Sequence, residues 1–105
     1  MLATVIPISN EIYNDLEQIE EDEAFEEANE IWKKLEDNPY LGEPLYDRED
    51  LDIYLKGCYK VYFYGTKYRY VYTINDDNEV IVLVIAIGKR NNLEVYHAAD
   101  TRLNE

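Results

Sequence analysis

Residues 80–88 read Val-Ile-Val-Leu-Val-Ile-Ala-Ile-Gly, apolar at nearly every position. A half-solvated strand alternates apolar with polar side chains, whereas a strand apolar in both phases must be covered on both of its faces. The segment therefore predicts a central strand over Val80–Ile87, and the rest of the chain must supply its two neighbours and its two covers.

The neighbours lie immediately upstream. A strand over Ile53 or Tyr59 to Tyr64, with a break at Gly57, turns through Gly65-Thr66-Lys67 into a second strand, Tyr68–Ile74. The tetrad Asn75-Asp76-Asp77-Asn78 then turns into the apolar strand, which makes an antiparallel meander. Thr4–Ile8 is β-rich and short, suited to an edge or pairing strand.

Helices supply the cover. Ser9 or Asn10 can cap a helix with Glu11 in its first turn, and Ile12, Leu16 and Ile19 recur at helical spacing. The acidic run Glu20–Glu23 breaks that helix, with Asp22 as a candidate cap for the next. Ala24, Phe25, Ala28, Ile31, Trp32 and Leu35 continue one stripe, and the helix stops before Asp37-Asn38-Pro39 because the residue preceding a proline resists the α region. Tyr40–Asp52 reads as a long loop, and Leu93–Leu103 as a closing helix. This order predicts an α+β fold: an N-terminal strand and a helical hairpin packed on an antiparallel β-meander, with a short C-terminal helix, all in one domain over residues 1–105.

Charge is divided between the two halves. The net charge of −13 argues against a nucleic-acid ligand if it is taken as a whole. Residues 1–52 carry 17 acidic and 3 basic side chains, a net of −14, whereas residues 53–105 carry 6 and 7, a net of +1. From Ile53 to Asn75 there is no acid, against Lys56, Lys60, Lys67 and Arg69. The C-terminal half can therefore bind phosphate even though the chain is acidic. A single cysteine, Cys58, permits no intrachain disulfide, and the short apolar run Val5–Ile8 has no basic lead, so a reducing cytoplasm is expected.

Three segments resemble the RelE toxins of the RelE/ParE superfamily. GCYKVYF is similar to the strand in which those toxins place a lysine after Cys-Tyr. KYRYVY resembles their next strand, with an arginine facing the substrate. IAIGKRNNLEVYHAADTRL is similar to their last strand, its Gly-Lys-Arg exit, the Val-Tyr that follows and the Arg-Leu ending, while LEDNPYLGEPL resembles the loop after their helical hairpin. The resemblance implies the toxin of a type II toxin–antitoxin pair, a ribosome-dependent mRNA endoribonuclease in which the 2′-hydroxyl attacks the adjacent phosphate. It implies an antitoxin covering the active surface, with ribosome and mRNA as further partners. It implies neither metal nor cofactor.

The same resemblance assigns roles. Lys60 would stabilise the phosphate, Arg69 and Arg90 would clamp its oxygens with forked guanidinium groups, and Tyr96 would stack on the nucleotide. Each has an ordinary alternative: a solvated strand lysine for Lys60, ion pairs with the acidic helices for Arg69 and Arg90, a core position for Tyr96. Tyr62 departs from the pattern, because the RelE toxins carry there a second lysine assigned as general base. A tyrosine, with an unperturbed pKa of about 10, is a poor base unless cations lower it. His97, the sole histidine, is the alternative base. Cys58 reads as a small buried filler, and the acids at Glu20–Glu23 and Asp76-Asp77-Glu79 lack the spacing of a calcium loop. Two other functions compete with the nuclease: a ParE-like inhibitor of DNA gyrase, and a catalytically silent binding module of the same fold, favoured by Tyr62 and the acidic N-terminal half.

Overall fold

The apolar strand has neighbours on both sides. In the computed structural model, which describes residues 2–104, five strands form one sheet: β1 (Thr4–Pro7), β2 (Glu43–Pro44), β3 (Cys58–Phe63), β4 (Tyr68–Asn75) and β5 (Ile81–Lys89). Their order is β1-β5-β4-β3-β2, so β5 runs parallel to β1 on one side and antiparallel to β4 on the other.

Both faces of the sheet are covered. On one lies the helical hairpin, α1 (Glu11–Glu17) and α2 (Asp22–Asp37), whose Ile12, Ala24, Ala28, Ile31 and Leu35 pack against Tyr68, Tyr70, Tyr72, Val82, Val84 and Ile87. On the other lies α3 (Glu94–Leu103), whose Val95, Tyr96 and Ala99 pack with Val71, Ile85, Ala86 and the loop residues Ile53 and Leu55. One register shift serves both layers. Val71 pairs with Ala86 but Tyr72 pairs with Val84, which leaves Ile85 as the extra residue of a bulge. Ile85 and Ala86 consequently both face α3, and Ile87 returns to the hairpin side.

The local signals explain the boundaries with small shifts. The Ser9 hydroxyl accepts the Glu11 N–H at 3.2 Å, whereas Asn10, at the cap position, makes no side-chain cap bond. Asp22 is the first residue of α2 rather than its cap, and the helix runs through Asp37, one residue further than expected; Asn38, which precedes Pro39, is the first residue outside the helical region. The strand beginning at Ile53 or Tyr59 begins at Cys58, since Ile53 makes only an isolated bridge to Arg48. It ends at Phe63 because Tyr64 takes a left-handed conformation (φ 52°) to enter the turn with Gly65 (φ 66°). Phe25, placed on the buried stripe of α2, is 41% exposed: it lies beside Ala24, which takes the inward position. Cys58 is buried, and burial pushes its thiol up to about 11, which suits a filler and not a nucleophile.

Among the described residues no strand flanks β5 beyond Val84 on the β1 side, and side chains complete the ladder. Asp15 of α1 accepts the Ile87 N–H at 3.0 Å, and Arg102 of α3 donates to the Ile85 carbonyl at 3.0 Å. The two side chains also meet in a fork, Nη1 to Oδ2 at 2.6 Å and Nη2 to Oδ1 at 3.0 Å. Their side chains are only 12% and 15% exposed. A buried pair broken on one side leaves an uncompensated charge, so Asp15→Ala should cost about 3 kcal/mol of unfolding free energy in denaturant titration. A loss of a few tenths would show that the clamp is dispensable.

A second tie joins the hairpin to β4. Glu21 accepts hydrogen bonds from Lys67 and, at 2.6 Å, from the Tyr68 hydroxyl. Lys67 first and Tyr68 next hold this carboxyl at about 2, below its ordinary 4.5. A depressed carboxyl stabilises the fold fully above its unfolded pKa and loses that contribution as the pH falls through the folded one. Thermal stability should therefore decline between pH 4.5 and about 2, and Glu21→Gln should flatten that part of the profile. An unchanged acid limb in the variant would contradict this assignment.

Candidate active site

The face that α3 only partly covers carries the candidate residues. Strand alternation puts Cys58, Lys60 and Tyr62 of β3 on this face, together with Arg69, Val71 and Thr73 of β4, and Tyr62 stands directly opposite Arg69. Arg90 leaves the end of β5. Asn92 and Leu93, both left-handed (φ 55° and 61°), then turn the chain so that α3 folds back and brings Tyr96 under the sheet.

A cavity of about 420 Å³ lies between these elements. Lys60, Tyr62, Arg90 and Tyr96 all line it, with Glu43, Tyr46 and Arg48 on the rim formed by the segment around β2. Arg90 is exposed, Lys60 half-buried and Tyr96 9% exposed. Tyr96 therefore both packs in the α3 core and presents part of its ring to the cavity. His97 is exposed and does not line the cavity.

Arg69 is placed differently. It is 4% exposed and absent from the cavity wall, with Nη1 donating to the Thr66 carbonyl and, at 3.3 Å, to the Tyr68 carbonyl. The Tyr62 ring stands over it, with Cζ 3.7 Å from the ring centroid. The Lys60 ammonium sits 4.9 Å from the same centroid. Lys60, foremost as a hydrogen-bond donor and then by its charge, with Arg69 adding to it, holds the Tyr62 hydroxyl below the ordinary tyrosine range, against desolvation and the charge of Glu43.

Ion pairs with the acidic helices, the alternative role for Arg69 and Arg90, are made by other cations. Lys89 binds Glu20 at 3.0 Å, Lys67 binds Glu21, and Arg102 binds Asp15 and Glu11. Among the described residues, Arg69 and Arg90 form no salt bridge.

The rim around β2 was not anticipated from sequence. Gly42 makes it possible: its N–H donates to the Tyr72 hydroxyl at 2.8 Å, and a Cβ there would lie 2.6 Å from the Lys60 carbonyl oxygen. This close approach lets Glu43 and Pro44 pair with Lys60 and Tyr59. The loop after β2 is tied back by Leu45 N–H to the Cys58 carbonyl at 2.8 Å and Lys56 N–H to Asp47 at 2.9 Å. Arg48, bound to Asp50 at 2.9 Å, is the one basic residue in an acidic stretch, and that isolation was its only signal in the sequence. Among the described residues no group of three or more His, Cys, Asp or Glu is arranged to hold a metal ion, and no helix is long and apolar enough to cross a membrane.

Comparison with known proteins agrees with this architecture. The family model of the ParE toxin of the type II toxin–antitoxin system parDE matches residues 7–93. The chain is 37% identical over 49 residues to a RelE-like toxin protein of Escherichia coli, covering 47% of this chain and 50% of that one. It is 44% identical over 46 residues to the mRNA interferase toxin RelE of Escherichia coli K12, covering 44% of this chain and 47% of that one. It thus spans about half the length of the curated relatives it matches. Two solved structures of the E. coli RelE toxin share the fold at 22% identity. A double arginine mutant in the free state gives a TM-score of 0.74 over 98% of this chain and 99% of that chain. The isolated toxin gives 0.64 over 96% and 98%. With the family model spanning most of the sequence and the fold shared end to end, the chain belongs to the ParE toxin family of type II toxin–antitoxin systems, within the RelE/ParE superfamily.

Proposed function

We propose that this chain is a toxin that cleaves mRNA on the ribosome, in the cytoplasm, and is held inactive by a cognate antitoxin covering the cavity. The observation that carries the reading is the convergence of Lys60, Tyr62, Arg90 and Tyr96 on one cavity. Two of these are cations, and they face a wall free of any carboxylate except Glu43.

In the reaction the 2′-oxygen attacks the adjacent phosphorus as the bond to the 5′-oxygen breaks. A base must take the 2′ proton, cations must hold the charge gathering on the phosphate oxygens, and an acid must protonate the departing oxygen. Lys60 and Arg90 are the phosphate-binding cations, and Tyr96 offers its ring edge to the nucleotide. Of the two candidate bases, Tyr62 lines the cavity and His97 does not, so Tyr62 is the proton acceptor this reading favours. Arg69, behind the Tyr62 ring, is the remaining cation. Glu17, Glu23, Glu26 and Glu30 are exposed on the hairpin, so an antitoxin segment crossing that face should be basic there.

Gyrase inhibition is the second reading, favoured by the match to the ParE family. Induction of the chain in growing bacteria, with mRNA 5′ ends mapped, separates the two. Growth arrest with new cleavage sites inside reading frames is expected, and Arg90→Ala or Lys60→Ala should each reduce cleavage about a hundredfold, as for loss of one donor to a developing oxyanion. Arrest with DNA damage and intact mRNA would assign gyrase, and no arrest would leave a silent binding module.

A further inference from the structure

Arg69 is a buried cation lacking a counter-charge. Its guanidinium carries five N–H donors. Nη1 serves two backbone carbonyls, Nε is buried with no hydrogen-bond partner, and no carboxylate lies within ion-pair distance among the described residues. A buried charge is tolerated when it is paired and hydrogen-bonded, and an unmet buried N–H is costly to leave. What stands over this guanidinium is the face of the Tyr62 ring, 3.7 Å away, which offers π-electron density but accepts none of the N–H groups in the guanidinium plane.

Tyr62 is 40% exposed, and its side chain points away from the core that Val61 and Phe63 join on the hairpin face. It also lies past the two residues at which β2 pairs with β3, so no strand borders it on the outer edge. Tyr62 belongs to neither core cluster, so rotation of this one side chain would leave both intact.

We propose that the Tyr62 ring, besides the proton-accepting role given to its hydroxyl, covers Arg69, and that an anion reaches the guanidinium only after the ring swings aside. The anion is a phosphodiester or phosphate, matched to the guanidinium fork and to Lys60 beside it. This deepens the nuclease reading, since it makes Arg69 a phosphate ligand in the open state and not in the closed one. The closed form shown by the structure is then a resting state in which the cation–π contact competes with substrate for Arg69.

The test is a titration of the ¹⁵N-labelled full chain with inorganic phosphate, followed at the Arg69 Nε–Hε resonance and compared among wild type, Tyr62→Ala and Tyr62→Phe. Because Arg69 is observed directly, the test does not depend on an Arg69 variant that folds. Removing the ring should tighten phosphate binding about tenfold, between the values of an exposed and a desolvated cation–π contact, and the Arg69 resonance should shift with saturation. Tyr62→Phe, which keeps the ring and loses the hydroxyl, should bind as wild type does. Equal affinities in all three proteins would overturn the proposal, as would a gain in Tyr62→Ala that leaves the Arg69 resonance in place. Cleavage of mRNA measured on the same samples keeps the two readings apart. A gain in Tyr62→Ala with no cleavage by wild type retains the cover and removes the nuclease, while cleavage by wild type with no gain in Tyr62→Ala removes the cover alone.

Discussion

Where β1 stops at Pro7, the edge of β5 would be left with open backbone groups beneath two helices, and the pair formed by Asp15 and Arg102 fills that gap. One carboxylate takes the Ile87 N–H, one guanidinium gives to the Ile85 carbonyl, and the two bind each other in a fork. Because Asp15 belongs to α1 and Arg102 to α3, the same contact pins the two layers to opposite faces of a shared strand. The orientation of α3 follows from it, and with α3 come the position of Tyr96 and the path of Arg90 out of β5. Buried ion pairs are poor sources of net stability but good determinants of a unique arrangement. Here the arrangement fixed is that of α1 and α3 on β5.

The chain's acidity is deployed with the same economy. Glu20 and Glu21, at the joint of the hairpin, engage Lys89 and Lys67, the lysines nearest the β3–β4 turn and the end of β5. Those cations are thereby drawn to the hairpin side, and Lys60, Arg90 and Arg48 remain along the cavity. A strongly negative protein can in this way carry a locally basic cavity wall, because exposed charges beyond about 10 Å are screened at ordinary salt while neighbours across a cavity are not.

Much of this was legible from residue order, and the parts that were not share a cause. The doubly apolar 80–88 segment required two covers, and both are present; the turns at Gly65 and at Asn75–Asn78 placed the meander; alternation put Lys60 and Tyr62 on one face and Arg69 opposite. The bulge at Ile85 was not legible, since a run of apolar residues looks the same in either phase. Phe25 misled because a helical stripe does not reveal how wide the buried sector is. Arg102 read only as part of a family ending, and its partner Asp15 lies 87 residues away, a distance at which no local pattern speaks. The burial of Arg69 was hidden for a similar reason: the ring that covers it comes from the neighbouring strand, and whether Tyr62 would point over Arg69 or away from it is decided by rotamer and packing, not by spacing.

The central claim is that the cavity bounded by Lys60, Tyr62, Arg90 and Tyr96 promotes attack of a 2′-hydroxyl on its own phosphate. Its most direct test is the chemistry of the product ends, made with purified protein, programmed ribosomes and a defined mRNA. The account predicts an upstream fragment ending in a 2′,3′-cyclic phosphate and a downstream fragment beginning with a 5′-hydroxyl. Fragments with a 3′-hydroxyl and a 5′-phosphate, or an mRNA left whole, would contradict it.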